Sequence, residues 1–273
     1  MKRVHNRLGG AVYILPNLIT TGNLFCGFFS IIKSVQGQPL WAASSILLAA
    51  IFDVLDGRVA RLTGGTSEFG VQYDSLCDLV SFGMAPAFLM YQSGLDSLGR
   101  IGWIASFIFM ACGALRLARF NVQSSIGKAS GDFTGLPIPM AAGFIASFVV
   151  AKLDLLAMPA DNWMWEFLKG VVTQDMSNYL FLISGPALGV LMVSNVNFRS
   201  HKSLRVKGLN PFKFLVIAVV VIGLVAIHPE ILGFLFFFLY AVSGPLEFAF
   251  GGKKALEDDE IFGTAYDQDN EDG

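Results

Sequence analysis

Apolar stretches of roughly 20 residues recur along this chain, each long enough to cross the hydrocarbon core of a bilayer as a helix. By that criterion spans are expected at about 17–34, 40–62, 71–93, 101–121, 137–157, 178–195, 212–228 and 230–250. Pro16, Pro39, Pro137, Pro211 and Pro229 fall at or near span starts, where a missing N–H costs a helix least. The last two spans meet almost directly at His228-Pro229 and also suit one bent hairpin. The pattern predicts an all-α, polytopic membrane bundle of about eight transmembrane helices. Residues 1–16 are basic and partly apolar, as expected of an interfacial segment on the membrane surface rather than a cleavable leader. The transmembrane domain is expected over 17–250, followed by an acidic, disordered tail at 251–273 without apolar periodicity.

Composition removes the soluble alternative: 54% of the 273 residues are hydrophobic and only 15% charged, with a mean hydropathy of +0.59. The 25 Phe and 29 Gly suit lipid-facing surfaces and close helix packing. Cys26, Cys77 and Cys112 lie in apolar stretches without CxxC spacing, and His5, His201 and His228 are scattered, so neither residue type suggests a metal centre or a disulfide framework.

Charge supplies the orientation. With the N-terminus in the cytoplasm, all of the 19 Lys and Arg fall on the cytoplasmic side except Lys33, Arg100, Lys152 and Lys169. The positive-inside rule then predicts a multi-pass cell-membrane protein with both termini cytoplasmic. The cluster Arg199, Lys202, Arg205 and Lys207 fits a topology signal or contact with anionic headgroups, with direct substrate contact as the alternative; no nucleic-acid partner is expected.

The chemistry gathers at the cytoplasmic ends of the second and third spans. Asp53-x-x-Asp56-Gly57-x-x-Ala60-Arg61 is followed by Gly70, Asp74 and Asp78. Spacings of three and four keep each aspartate pair on one helix face, with Gly57 and Ala60 on the face of Asp53 and Asp56, so all four carboxylates can converge. A carboxylate in a span costs roughly 2.5–3.5 kcal/mol on insertion scales, and close pairs repel by about 4 kcal/mol at an effective dielectric near 20. Divalent cations with oxygen ligands, Mg²⁺, Mn²⁺ or Ca²⁺, resolve both costs, and a two-metal site is suited to phosphoryl transfer. Arg61 is placed to hold a phosphate oxygen. An aspartate-lined cation or proton pathway in a transporter is the alternative.

The segment Asp53-Val-Leu-Asp56-Gly57-Arg58-Val-Ala60-Arg61 through Gly70, Asp74 and Asp78 resembles, without a departure, the signature of the CDP-alcohol phosphotransferases. The resemblance implies an integral membrane enzyme with a six-helix catalytic core, usually homodimeric, that transfers a phosphatidyl or related group from a CDP-linked donor to an alcohol and releases CMP. It also implies Asp53, Asp56 and Asp74 as ligands of two divalent ions, Mg²⁺ or Mn²⁺, with Asp78 a ligand or the catalytic base. Gly57, Ala60, Arg61 and Gly70 would accommodate the cytidine and diphosphate.

Pro16-Asn17-Leu-Ile-Thr20-Thr-Gly-Asn23, Arg116-Leu-Ala-Arg119-Phe120-Asn121 and Phe133-Thr-Gly135-Leu136-Pro137-Ile-Pro139 are similar to the phosphatidylserine synthase branch of that family. This branch implies CDP-diacylglycerol or CDP-archaeol as donor and L-serine as acceptor; inositol phosphate, glycerol phosphate and choline are the other acceptors in the family. Thr20 and Asn23 are candidate donors to the nucleotide or diphosphate, with hydrogen bonding between helices as the alternative. Arg116, Arg119 and Asn121 are candidates for acceptor binding, because a guanidinium pair matches an amino-acid carboxylate, with helix-end anchoring as the alternative.

Overall fold

The computed structural model describes residues 5–63, 67–125, 133–159, 163–198 and 228–251. Its helices are α1 (His5–Val35), α2 (Pro39–Thr63), α3 (Glu68–Asp78), α4 (Ala85–Ser93), α5 (Arg100–Ser125), α6 (Ile138–Ala157), α7 (Trp163–Val171), α8 (Gln174–Val193) and α9 (Pro229–Gly251). Two-residue strands β1 (Phe133–Thr134) and β2 (Asn197–Phe198) pair antiparallel, Phe133 opposite Phe198. The all-α expectation holds. Among the described residues six helices are long and apolar enough to cross a membrane: Ile14–Val35, Pro39–Thr63, Arg100–Ser124, Ile138–Ala157, Asp175–Val193 and Pro229–Phe248.

The expected span at 71–93 is helical throughout but interrupted, since a π-helical turn over Leu79–Met84 joins α3 to α4. Pro86 lies in the first turn of α4 and offers no N–H, and the Ala85 N–H reaches back five residues to the Val80 carbonyl. The expected span at 212–228, the basic cluster at 199–207 and residues 252–273 lie outside the described residues. At the N-terminal end α1 begins at His5 and runs through Pro16, so the segment expected to be interfacial joins the first span as one helix.

Local signals start and stop these helices. Ser67 caps α3, its hydroxyl accepting the Gly70 N–H at 3.0 Å. Thr173 caps α8 in the same way, through Met176. Gly37, at φ +68°, ends α1 in the left-handed conformation, with Gln38 N–H on Lys33 O at 2.9 Å and Gly37 N–H on Ser34 O at 3.0 Å.

Helix α6 is the centre of the bundle, buried on nearly every face from Ile138 to Val149. Phe148 meets Phe181 of α8 edge-on at 5.2 Å, and Phe144 meets Phe234 of α9 at 5.3 Å. Phe25, Phe28, Ile51, Leu115, Ile183 and Phe236 face outward, as a surface solvated by lipid requires. Helix α1 also approaches the π-turn closely, since a Cβ at Gly27 would lie 2.6 Å from the Ser81 Cα.

Candidate active site

The antiparallel hairpin of α1 and α2, followed by α3, brings the four aspartates to one end of the bundle. One carboxylate oxygen from each of Asp53, Asp56 and Asp74 lies within 4.8 Å of the others. Asp78, one turn beyond Asp74, lies within electrostatic reach of all three and is 8% exposed. The expected convergence is present.

Helix α1 holds both aspartate pairs through two side chains three residues apart. Thr20 donates its hydroxyl to Asp56 Oδ2 at 2.9 Å, with Pro16 O at 3.1 Å as the alternative acceptor. Asn23 donates Nδ2 to Asp78 Oδ1 at 2.9 Å. The backbone carbonyl of Asn23 accepts from Ser81 in the π-turn at 2.9 Å, which ties α1 to the residues just after Asp78. Thr20 and Asn23 thus hydrogen-bond from α1 to the helices that carry the aspartates.

Of the three residues expected at an acceptor pocket, the structure brings Arg116 to the aspartates. Its guanidinium is within electrostatic reach of Asp78, Asp53 and Tyr240, the last from α9. Arg119 instead donates to Val193 O at 3.3 Å and Asn195 Oδ1 at 2.7 Å, at the end of α8. Gly135 and Leu136 fasten the same segment, through Val196 O at 2.9 Å and Leu191 O at 3.0 Å. Asn121 donates to Gln72 and accepts from Ser75, both at 3.1 Å, joining α5 to α3.

Near the open end, exposed Arg61 donates Nε to the Gly57 carbonyl at 2.8 Å, its guanidinium lying back along α2. Gly57 leaves space above it, since an added Cβ would meet only Arg61 Nη2, at 3.9 Å. Ala60, one turn after Asp56, is partly buried. Gly70 is tighter: a Cβ there would lie 3.1 Å from Ser67 Oγ and 3.4 Å from Asn17 Oδ1, so the glycine lets the start of α3 approach α1.

These residues fit divalent cations. Two oxygens bound to one hard cation at about 2.0–2.6 Å are no more than about 4–5 Å apart, the spacing of Asp53, Asp56 and Asp74. Asp74 Oδ1, Asn23 Oδ1 and Arg116 Nε are all buried without a hydrogen-bond partner among the described residues. Buried polar atoms rarely go unpaired, and three at one site point to a ligand that satisfies them. Tyr240 and Ser81 carry no motif in the sequence; only packing shows that they belong here.

A family model described as CDP-alcohol phosphatidyltransferase matches residues 13–174. A CDP-diacylglycerol–serine O-phosphatidyltransferase of Helicobacter pylori (strain ATCC 700392 / 26695) is 34% identical over 239 residues, covering 88% of this chain and 92% of the relative. An archaetidylserine synthase of Methanothermobacter thermautotrophicus is 37% identical over 186 residues, 67% of this chain and 69% of that protein. A CDP-diacylglycerol–serine O-phosphatidyltransferase of Methanocaldococcus jannaschii is 40% identical over 137 residues, half of this chain and 61% of the relative.

Proposed function

Because the chain belongs to the CDP-alcohol phosphatidyltransferase family, we propose that it transfers the phosphatidyl group of CDP-diacylglycerol, or its ether-lipid counterpart from CDP-archaeol, to the hydroxyl of L-serine and releases CMP. The observation that carries this reading is the convergence of Asp53, Asp56 and Asp74, with Asp78 beside them, in a membrane bundle whose relatives across most of its length bear the serine transferase name.

The donor lies with its chains in lipid and its cytidine diphosphate at the aspartate end, where Gly57 and Ala60 leave room and Gly70 lets α3 close on α1. Asp53, Asp56 and Asp74, with Asp78 as a further ligand, would hold two divalent ions, Mg²⁺ or Mn²⁺. When bound, these supply charge neutralisation for the diphosphate and for the leaving phosphate. Arg61, at the exposed rim, exchanges the Gly57 carbonyl for a phosphate oxygen.

Asp78 accepts the serine hydroxyl proton. Its Oδ1 is held by Asn23, which fixes the carboxyl group and leaves Oδ2 as the basic atom. A new P–O bond forms between the serine oxygen and the phosphorus that carries the lipid; the bond from that phosphorus to the bridging oxygen breaks; CMP departs with the electron pair. Arg116, whose Nε has no partner among the described residues, takes the serine carboxylate. Arg119 and Asn121 act behind it, holding α5 to α8 and α3. Thr20 and Asn23 serve the donor indirectly, through the carboxylates that they orient.

The active site and both termini face the cytoplasm in this reading, and the chain works as a homodimer. Support for the orientation comes from charge, together with a bundle in which α1 begins and α9 ends at the aspartate end.

The test is CMP release by the purified protein in mixed micelles of CDP-diacylglycerol with Mg²⁺ or Mn²⁺, comparing L-serine, glycerol phosphate, inositol phosphate and choline, each with and without chelator. Metal-dependent release with serine is expected. Release only with another alcohol overturns the acceptor, and no release with any acceptor, from CDP-diacylglycerol or from CDP-archaeol assayed in the same way, overturns the transferase reading in favour of cation transport.

A further inference from the structure

Helix α9 lies beyond residues 13–174, the part matched by the family model, yet it brings a polar side chain to the aspartate site. The run Phe234-Leu-Phe-Phe-Phe-Leu-Tyr240 is rich in phenylalanine, and Tyr240 is the single tyrosine of the helix. Its phenol stands within electrostatic reach of the Arg116 guanidinium. Tyr240 is about 16 Å from the start of α9 and about 12 Å from Phe248, where the apolar span ends, too deep for an aromatic anchor at either interface.

Packing fixes the direction in which Tyr240 points. Phe234, Phe237, Tyr240 and Gly244 recur at spacings of three and four and form one stripe of α9. Phe234 meets Phe144 of α6 at 5.3 Å, and a Cβ at Gly143 of α6 would collide with the Phe237 ring. Tyr240 stacks on Phe198 at 5.8 Å with the ring planes 27° apart, and Gly244 lies so close to the same ring that a Cβ there would strike it. Phe198 is 1% exposed and pairs through β2 with Phe133 of β1. The chain then enters α6, where a Cβ at Gly113 of α5 would lie 2.7 Å from Ile138 Cδ1, about one turn before Arg116. A close-packed path thus joins the Tyr240 ring to the segment of α5 that carries Arg116.

A phenylalanine would fill the same space, so what the tyrosine adds is a hydroxyl. It is a neutral donor beside a cation. Guanidinium and phenol together offer an oxyanion several donors but a single positive charge, which matches a carboxylate better than the double charge of a phosphate monoester.

We propose that Tyr240 determines acceptor specificity: its hydroxyl donates to the carboxylate that Arg116 holds, and its ring, backed by Phe198, closes that pocket from the side of α9. The inference rests on L-serine as the acceptor.

The test follows CMP release by the purified full-length protein in mixed micelles of CDP-diacylglycerol with Mn²⁺ as L-serine is varied, for the wild type, Tyr240→Phe, Tyr240→Leu and the control Tyr179→Phe, whose side chain is exposed on α8. Tyr240→Phe keeps the stack on Phe198 and loses only the hydroxyl. Its serine KM is expected to rise about tenfold, while kcat and the CDP-diacylglycerol KM stay within about twofold of the wild type. Inhibition by L-alanine and by alaninamide, which both lack the reacting hydroxyl, separates a carboxylate contact from a structural role. The wild type should prefer L-alanine, and Tyr240→Phe should narrow that preference by about as much as its serine KM rises. Tyr240→Leu also removes the wall and should gain turnover of L-threonine relative to L-serine; if it does not fold, Tyr240→Phe carries the test. An unmoved serine KM in Tyr240→Phe, an intact L-alanine preference, or an equal effect of Tyr179→Phe overturns the role of Tyr240. A wild type that releases CMP with another alcohol but not with serine overturns the acceptor reading itself, and does so before any variant is compared.

Discussion

Asp78 differs from the other aspartates in how it is held: it is buried, its Oδ1 is bonded to Asn23, and it stands beside the three carboxylates that share a space fit for a cation. Asp78→Asn should therefore keep nucleotide binding while kcat falls about 10²–10⁴-fold, the usual contribution of a positioned base; full turnover in this variant would remove the base assignment. Asp53→Asn should instead weaken metal affinity, seen as a higher Mn²⁺ concentration for half-maximal activity. The two arginines of α5 separate as cleanly. Arg116→Ala should raise the serine KM by roughly 10–100-fold, the value of a charge-assisted hydrogen bond of about 1.5–3 kcal/mol. Arg119→Ala removes two bonds to the end of α8 and should cost about 1–3 kcal/mol of stability, with a smaller effect on the serine KM than Arg116→Ala. A larger KM effect for Arg119→Ala would return it to the acceptor pocket. Sequence spacing showed that both arginines lie on one face near the end of a span; the rise of about 4.5 Å between them sets Arg116 level with the aspartates and Arg119 level with the end of α8, which only the packing of the neighbouring helices decides.

Among the elements, the π-turn of residues 79–84 connects the aspartate end to the rest of the bundle. It follows Asp78 directly, shifts the register of α4 relative to α3, and presents Ser81 to the backbone of Asn23. Gly27 permits that contact. Gly27→Ala would press a methyl group against Ser81, including its backbone, at 2.4–2.9 Å. Overpacking of this kind costs typically about 1–3 kcal/mol, and the variant should show a lower thermal midpoint together with reduced CMP release, since the Asn23–Asp78 bond depends on the same approach. Gly233→Ala is the matched control, because nothing lies within 4 Å of a Cβ there; an equal loss in both variants would show that the Gly27 contact is not what matters. Hydropathy located the span containing this turn but not the turn, because Leu79–Met84 is apolar in either helical form and the extra residue per turn leaves no compositional trace.

At the scale of the whole molecule, one bundle has a polar end where four carboxylates gather, with Arg116 as the cation facing Asp53 and Asp78. A chelator should abolish CMP release, and adding back Mg²⁺ or Mn²⁺ should restore it; undiminished release in chelator would exclude metal from the reaction. The sequence by itself determined that the chain is an all-helical membrane bundle, because hydropathy is a property of each segment taken alone. It also determined which aspartates share a face, because spacings of three and four fix that within a single helix. The tertiary structure alone decided that Thr20 meets Asp56, that Asn23 meets Asp78, that Arg116 rather than Arg119 turns to the carboxylates, and that Tyr240 joins them from more than a hundred positions away. Each of these depends on the rotation of a helix about its own axis. In spans apolar on every side that rotation is set by close contacts such as Gly27 on Ser81, not by any pattern along the chain.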